Sequence, residues 1–345
     1  MPDQDGLDSR YRIYSTCPQS RSHAAADYRR RIAEVAAWSE EAGCTGILVY
    51  ADNGVVDPWL VAQTILQGTR RLCPLVAVQP IYMHPYTVAK MVASLAWLHD
   101  RRVCLNMIAG GFTGDLQALG DPTPHDERYA RLAEYTTIIR RLLEGGQPVS
   151  FDGRHYTVRN LRLTPALPPA LMPAILMSGS SEAGMAAAES TGAVGIVYPQ
   201  PVAEQPAAGP SGAGIRLGIL ARPDAAEAWA IAHARFPDDD RGRMTHKLAM
   251  AVSDSVWHRQ LSAQPAPAGA TPYWLWPFQT YKTFCPYLVG SIDEVAAEVA
   301  AYLAKGYRTV ILDVPQSPED LDCARQVFAR AAAIAAGNQQ HKASA

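Results

Sequence analysis

The sequence predicts an α/β protein, a (β/α)8 TIM barrel, on three observations. Eight short runs rich in Val, Ile and Leu lack polar alternation, as parallel strands covered on both faces should. Segments of helical periodicity separate them. Strand and helix alternate through most of the 345 residues, which suits a barrel better than an open sheet.

The expected strands are 11–15, 46–50, 75–79, 103–107, 174–177, 195–198, 215–220 and 309–313. The expected helices are 25–42, 58–67, 87–99, 127–143, 182–190, 225–234, 292–305 and 318–335. Gly43, Gly145 and Gly306 close three of them. Ser291-x-x-Glu294 reads as a capping box, and Ser317-Pro318 as an N-cap followed by proline in the first turn. Three segments break the alternation. A Gly/Pro-rich loop, 110–126, follows the fourth strand, and a long insertion, 237–287, follows the seventh. Residues 199–214 are rich in Pro, Ala and Gly where a sixth helix belongs, so that helix is expected to be missing or reduced. Residues 1–337 are expected to form a single domain, and 338–345 a polar, disordered tail.

Composition narrows the function. At 48% hydrophobic and 19% charged the chain can bury a large core, and a net charge of −2 offers nothing to nucleic acid or an anionic membrane. No apolar stretch reaches the roughly 20 residues that span a bilayer. The start, Met1-Pro2-Asp3-Gln4-Asp5, carries acid where a signal peptide needs basic residues, so a cytoplasmic protein is expected. Six cysteines lie far apart with no Cys-x-x-Cys pair, which fits reduced core thiols, and no metal site is read.

Polar residues at the C-terminal ends of the expected strands form one candidate set: Cys17, Asp52, His84, Asn106, Ser178, Gly179, Ser180, Ser181, Arg216 and Gln316. The segment from Ser178 to Ser181 joins a strand to a helix start. Glycine there lets the backbone approach an anion, serines add hydroxyl donors, and the first helical N–H groups point to the same place. An ordinary helix cap accounts for the turn equally well. His125 and Tyr129 stand four apart on one helical face, with Asp126 a candidate cap for that helix.

Taken together, five ordered stretches give the chain a family resemblance. They are Asp57-Pro58-Trp59-Leu60-Val61-Ala62, Leu105-Asn106, His125-x-Glu127-Arg128-Tyr129 with Arg140-Arg141-Leu142-Leu143, Ser178-Gly179-Ser180-Ser181, and Gly214-Ile215-Arg216-Leu217. In this order they resemble the bacterial-luciferase-like flavin-dependent monooxygenases, most of all the alkanesulfonate monooxygenase branch. Coverage runs from about Arg10 to Ala335, weakly over 199–214 and 237–290.

The resemblance implies a barrel holding reduced FMN, with Ser180 and Ser181 on its phosphate. It puts Asn106 and Asp52 at the isoalloxazine edge, and His125 and Tyr129 along the flavin or its ribityl chain. Oxygen and reduced flavin form a flavin peroxide that decays when water reaches it, so such a site must stay dry and present a small organic substrate. Arg216 and His125 are the candidate catalytic residues. A separate NAD(P)H:FMN reductase and a homodimer or homotetramer are also implied. The insertion after the seventh strand is a candidate lid, with Trp257, Tyr273, Trp274, Trp276, Phe278, Tyr281 and Lys282, and reads equally as a dimer contact or a packed cover over the barrel.

The alkanesulfonate pattern is incomplete. Gly218 stands where that branch has histidine, Val55 where it has cysteine, and Val314-Pro315-Gln316 where it has tyrosine, which puts desulfonation in doubt. Two other readings remain: a deazaflavin-dependent hydride-transfer enzyme on the same barrel, and a flavin-binding protein without catalysis.

Overall fold

Residues 11–209, 212–252, 261–262 and 271–343 are described by a computed structural model. In chain order the strands are β1 (Arg12–Thr16), β2 (Gly46–Val49), β3 (Cys73–Val78), β4 (Cys104–Ile108), β5 (Val149–Asp152), β6 (Thr157–Leu161), β7 (Ile175–Ser178), β8 (Val194–Val197), β9 (Ala213–Arg222), β10 (Tyr273–Trp274), β11 (Tyr287–Ser291) and β12 (Tyr307–Leu312). The α-helices are α1 (Ala25–Glu41), α2 (Pro58–Gly68), α3 (Pro85–His99), α4 (Thr113–Ala118), α5 (His125–Glu144), α6 (Glu182–Thr191), α7 (Ala225–Arg235), α8 (Asp240–Val252), α9 (Trp276–Gln279), α10 (Ile292–Ala304) and α11 (Pro318–Ala343). Each of the eight expected strands overlaps one of β1–β4, β7–β9 and β12, and the fold class is the (β/α)8 barrel.

Chain contacts divide into two compact units. One comprises Cys17–Glu40 and Gly46–Ile196. Its parallel strands run in the order β2-β3-β4-β7-β8, with Ala77 opposite Asn106, Asn106 opposite Leu176 and Ile108 opposite Ser178. Beneath α2, α3 and α5 lies a core of Trp59, Val88, Leu105, Leu132, Ile138 and Met177, among others. Burial on both strand faces removes the need for polar alternation.

Local chemistry sets the helix ends in this unit. Asp57 accepts the N–H groups of Trp59 and Leu60 at the start of α2. His84 Nδ1 accepts the Tyr86 N–H at 3.2 Å, so α3 begins two residues before the expected start. Helix α5 begins at His125 itself; Pro124 stands at the cap, so Asp126 lies inside the helix rather than capping it. An antiparallel pair, β5–β6, was missed because its apolar residues are few. The Glu134 carboxylate on α5 holds it, accepting the N–H groups of Arg154, His155 and Tyr156 at 2.8, 2.9 and 3.1 Å.

The other unit comprises Met1–Thr16, Glu41–Thr45 and Val197–Ala345, with strand order β10-β11-β9-β12-β1. Strand β11, which pairs parallel with the second half of β9, begins at Tyr287, the last residue of the expected insertion, and its short apolar run leaves little sequence signal. Ser291 caps α10 as the expected capping box. No helix occurs among the described residues between β8 and β9. Helix α11 continues to Ala343, so the segment expected as a disordered tail is helical up to that residue. No described helix is long and apolar enough to cross a membrane.

The loop after β4 is tied down by buried charge. Arg128, 2% exposed, donates to the carbonyls of Thr123 and Gly110. Arg131 donates to Asp121 at 2.6 Å, and Thr123 adds its N–H and hydroxyl to the same carboxylate. Burial raises the Asp121 pKa, but these donors outweigh it and bring the value down to about 2. Because the folded value is depressed, the stabilisation is complete above the unfolded value near 4 and is lost as pH falls toward 2. Asp121→Asn is expected to cost about 2 kcal/mol at pH 7 and about half that at pH 3, measured by urea unfolding. A cost independent of pH would refute the assignment.

Candidate functional site

At the end of β7, Ser178 Oγ donates to Asn106 Oδ1 on β4 at 2.9 Å. Asn106 is buried, so this bond fixes which way its amide faces. The Gly179 N–H then donates to the Ile196 carbonyl at 3.1 Å. A Cβ at Gly179 would run into the hydroxyl of Tyr129, with Tyr129 Cζ only 2.9 Å away. Glycine therefore makes room for a tyrosine from α5, rather than only for an anion. The Tyr129 hydroxyl reaches the Ser178 carbonyl at 3.4 Å. One turn earlier, the His125 ring packs edge-on to Tyr129 with centroids 5.2 Å apart, and its Nδ1 lies 2.7 Å from Asp126 Oδ1.

Asn106, Ser178, Gly179, Tyr129 and His125 are thus joined in one continuous cluster. Ser181 starts α6: its Oγ accepts the Gly184 N–H at 3.1 Å, so the helix-cap reading of this turn holds for that residue. Ser180 lies between, half-buried.

Asp52 stands in a different setting in the same unit. It borders a cavity of about 510 Å³ beyond the C-terminal ends of β2 and β3, which Asn106, His125 and Ser180 do not line. The Arg21 guanidinium and the Gly54 N–H both donate to Asp52 Oδ1. The Tyr82 hydroxyl donates to Asn53 Oδ1 at 2.7 Å, and Asn53 Nδ2 donates to the Asp115 carbonyl at 3.1 Å. Gln79, Tyr82 and Asn53, all on this cavity, went unnoticed in the sequence because uncharged polar side chains carry no spacing signal.

Two candidates have structural tasks. His84 is the cap of α3, and Cys17 is buried, its thiol pushed up to about 12 by desolvation.

Arg216 belongs to the other unit, on β9. It is buried, and its guanidinium carbon lies 5.9 Å from the centroid of the Tyr198 ring. A Cβ at Gly218 would collide with the ring of Tyr287, which comes from the unforeseen strand β11. The Tyr287 hydroxyl donates to Asp313 Oδ2 at 2.9 Å. Burial, then the charge of Asp313, hold this phenol well above its usual pKa. Gln316 serves the local turn, its amide donating to the Val314 carbonyl.

The insertion is packed. Trp274 sits against Trp229, His233 and Phe236, and the Tyr273 hydroxyl donates to the Pro199 carbonyl. Lys282 pairs with Asp239. Trp257 lies outside the described residues.

Residues 13–309 match the family model described as luciferase-like monooxygenase. The chain belongs to the luciferase-like monooxygenases. It is 36% identical over 305 residues to 4-(gamma-L-glutamylamino)butanoyl-[BtrI acyl-carrier protein] monooxygenase BtrO of Niallia circulans, covering 85% of this chain and 89% of that protein. Monooxygenase RslO1 from Streptomyces bottropensis superposes with a TM-score of 0.64 at 17% identity, covering 92% of this chain and 97% of its own. An F420-dependent secondary alcohol dehydrogenase gives 0.62 at 16% identity, covering 93% and 99%. Both likenesses show the barrel fold. Luciferase-like monooxygenases are flavin-dependent oxidoreductases, which fixes the class of enzyme here.

Gly218→His, which installs the residue of the alkanesulfonate pattern, is expected to destabilise the protein by about 1–3 kcal/mol through collision with Tyr287. Adding Tyr287→Ala should relieve part of that loss. Equal stability of Gly218→His and wild type in denaturant unfolding would contradict the packing.

Proposed function

We propose that the protein is the oxygenase of a two-component system: it binds reduced FMN and inserts one atom of O2 into a small organic substrate, with electrons from a separate NAD(P)H:FMN reductase. The observation that carries this reading is the cluster linking Asn106, Ser178, Gly179, Tyr129 and His125. The residues fit the group. A hydroxyl accepts and donates at once, so Ser181 can cap α6 and still give its proton to a phosphate oxygen, beside the hydroxyl of Ser180. Bound reduced FMN would supply the electrons that activate oxygen.

In this reading Asn106 presents its fixed amide to the ring edge, and Tyr129 and His125 flank the ribityl chain. Asp52 enters with its charge already offset by Arg21. The positive charge of Arg216 stabilises negative charge that develops during oxygen transfer. The relative's named substrate, an acyl chain on a carrier protein, makes acyl compounds the first to try. Desulfonation is not proposed, because Tyr287 fills the space beside Gly218 that a histidine would need.

Titration with reduced FMN, oxidised FMN and a deazaflavin is expected to rank reduced FMN first; preference for the deazaflavin would assign the barrel to hydride transfer instead. Asn106→Ala and Ser180→Ala should each weaken reduced FMN by about tenfold, the value of one lost hydrogen bond. Arg216→Ala should leave flavin affinity intact and lower turnover. Oxygen-18 incorporation from labelled O2 into an acyl substrate, with a generic flavin reductase, tests the chemistry. Flavin binding with no incorporation into any substrate would leave a binding protein.

A further inference from the structure

The cavity that Asp52 borders carries information about the substrate. Its volume of about 510 Å³ is that of a small-molecule site. The walls are largely apolar, with Val55, Trp59, Val78, Met83 and Leu119. Both carboxylates on the lining are already engaged. Asp52 takes the Arg21 guanidinium and the Gly54 N–H, and Asp57 takes the Trp59 and Leu60 N–H groups at 2.9 and 3.3 Å. The Tyr82 hydroxyl and the Asn53 amide are committed to each other and to the Asp115 carbonyl.

Gln79 differs. It follows the end of β3, and its carboxamide has no hydrogen-bond partner among the described residues. An anion entering here would face the carboxylates of Asp52 and Asp57, while a cation would find Asp52 paired with Arg21, Asp57 held by the N–H groups of α2, and the nearby Asp115 with its pKa raised, first by burial and then by Asp52. A neutral group that donates and accepts would find a complementary carboxamide.

We propose that this cavity receives an uncharged, amide-bearing part of the substrate, and that Gln79 is the residue that selects it. The proposal rests on the monooxygenase reading for the word substrate. The selectivity itself is a property of the cavity and is testable without flavin.

The experiment is calorimetric titration of the flavin-free protein at pH 7 with hexanamide, hexanoate and hexylammonium, three probes of equal chain length. Hexanamide is expected to bind at least about tenfold tighter than either ion, the effect of one hydrogen bond plus avoided desolvation. Gln79→Leu should abolish that preference, and Gln79→Glu should shift it toward hexylammonium. Leu119→Trp, which fills the cavity from its rim, should block hexanamide, and retained thermal unfolding will show that each variant is folded. Tighter or equal binding of either ion to the wild type, absence of binding by all three, or an amide preference that survives Gln79→Leu would overturn the proposal. Reduced-FMN binding is measured separately, so either reading can fail while the other stands.

Discussion

The seating of Tyr129 on Gly179 is the contact on which the candidate site depends. It brings a helix that follows β4 against the turn that follows β7, the neighbour of β4 in the sheet, and so sets where the Ser178 carbonyl, the α6 start and the His125 ring lie. No residue with a Cβ could stand at 179 without moving the tyrosine. The same contact changes the meaning of a small-residue turn. Its glycine serves side-chain packing first, and any approach of a phosphate comes through the serines and the helix end.

Around that contact, carboxylates and guanidinium groups organise loop backbone. Glu134 gathers three N–H groups of the β5–β6 turn, and Glu40 does the same for Arg70, Arg71 and Leu72. Burial raises the Glu40 pKa, but those N–H donors prevail and leave it lowered. Arg128 and Arg131 hold the loop after β4 in the same manner with the charges reversed. Such anchoring gives otherwise irregular segments a fixed path, which a binding surface built from loops requires.

Gly218 and Tyr287 show how a family pattern can be altered by a residue far away in the chain. A glycine on β9 is matched by a tyrosine ring from β11, and the phenol closes on Asp313. A departure read in the sequence as a lost polar group is, in three dimensions, an exchange of one polar group for another. The position is occupied, by a side chain whose strand was not recognised.

The alternation of apolar and helical segments determined the eight barrel strands and eight of the helices, because burial on both faces and a 3.6-residue period leave a local imprint. Helix starts at Asp57 and Ser291 were equally legible, since capping is a matter of neighbouring residues. The family resemblance offered Asn106, His125, Tyr129 and Ser178 to Ser181 as candidates, and of these the structure joins Asn106, Ser178, Gly179, Tyr129 and His125. Tertiary structure alone decided that Tyr129 occupies the space over Gly179, that Tyr287 fills the space at Gly218, and that Asp52 is neutralised by Arg21. Each of these is a contact between residues at least 31 positions apart, set by how strands and helices pack, and nothing in local residue order encodes such a pairing.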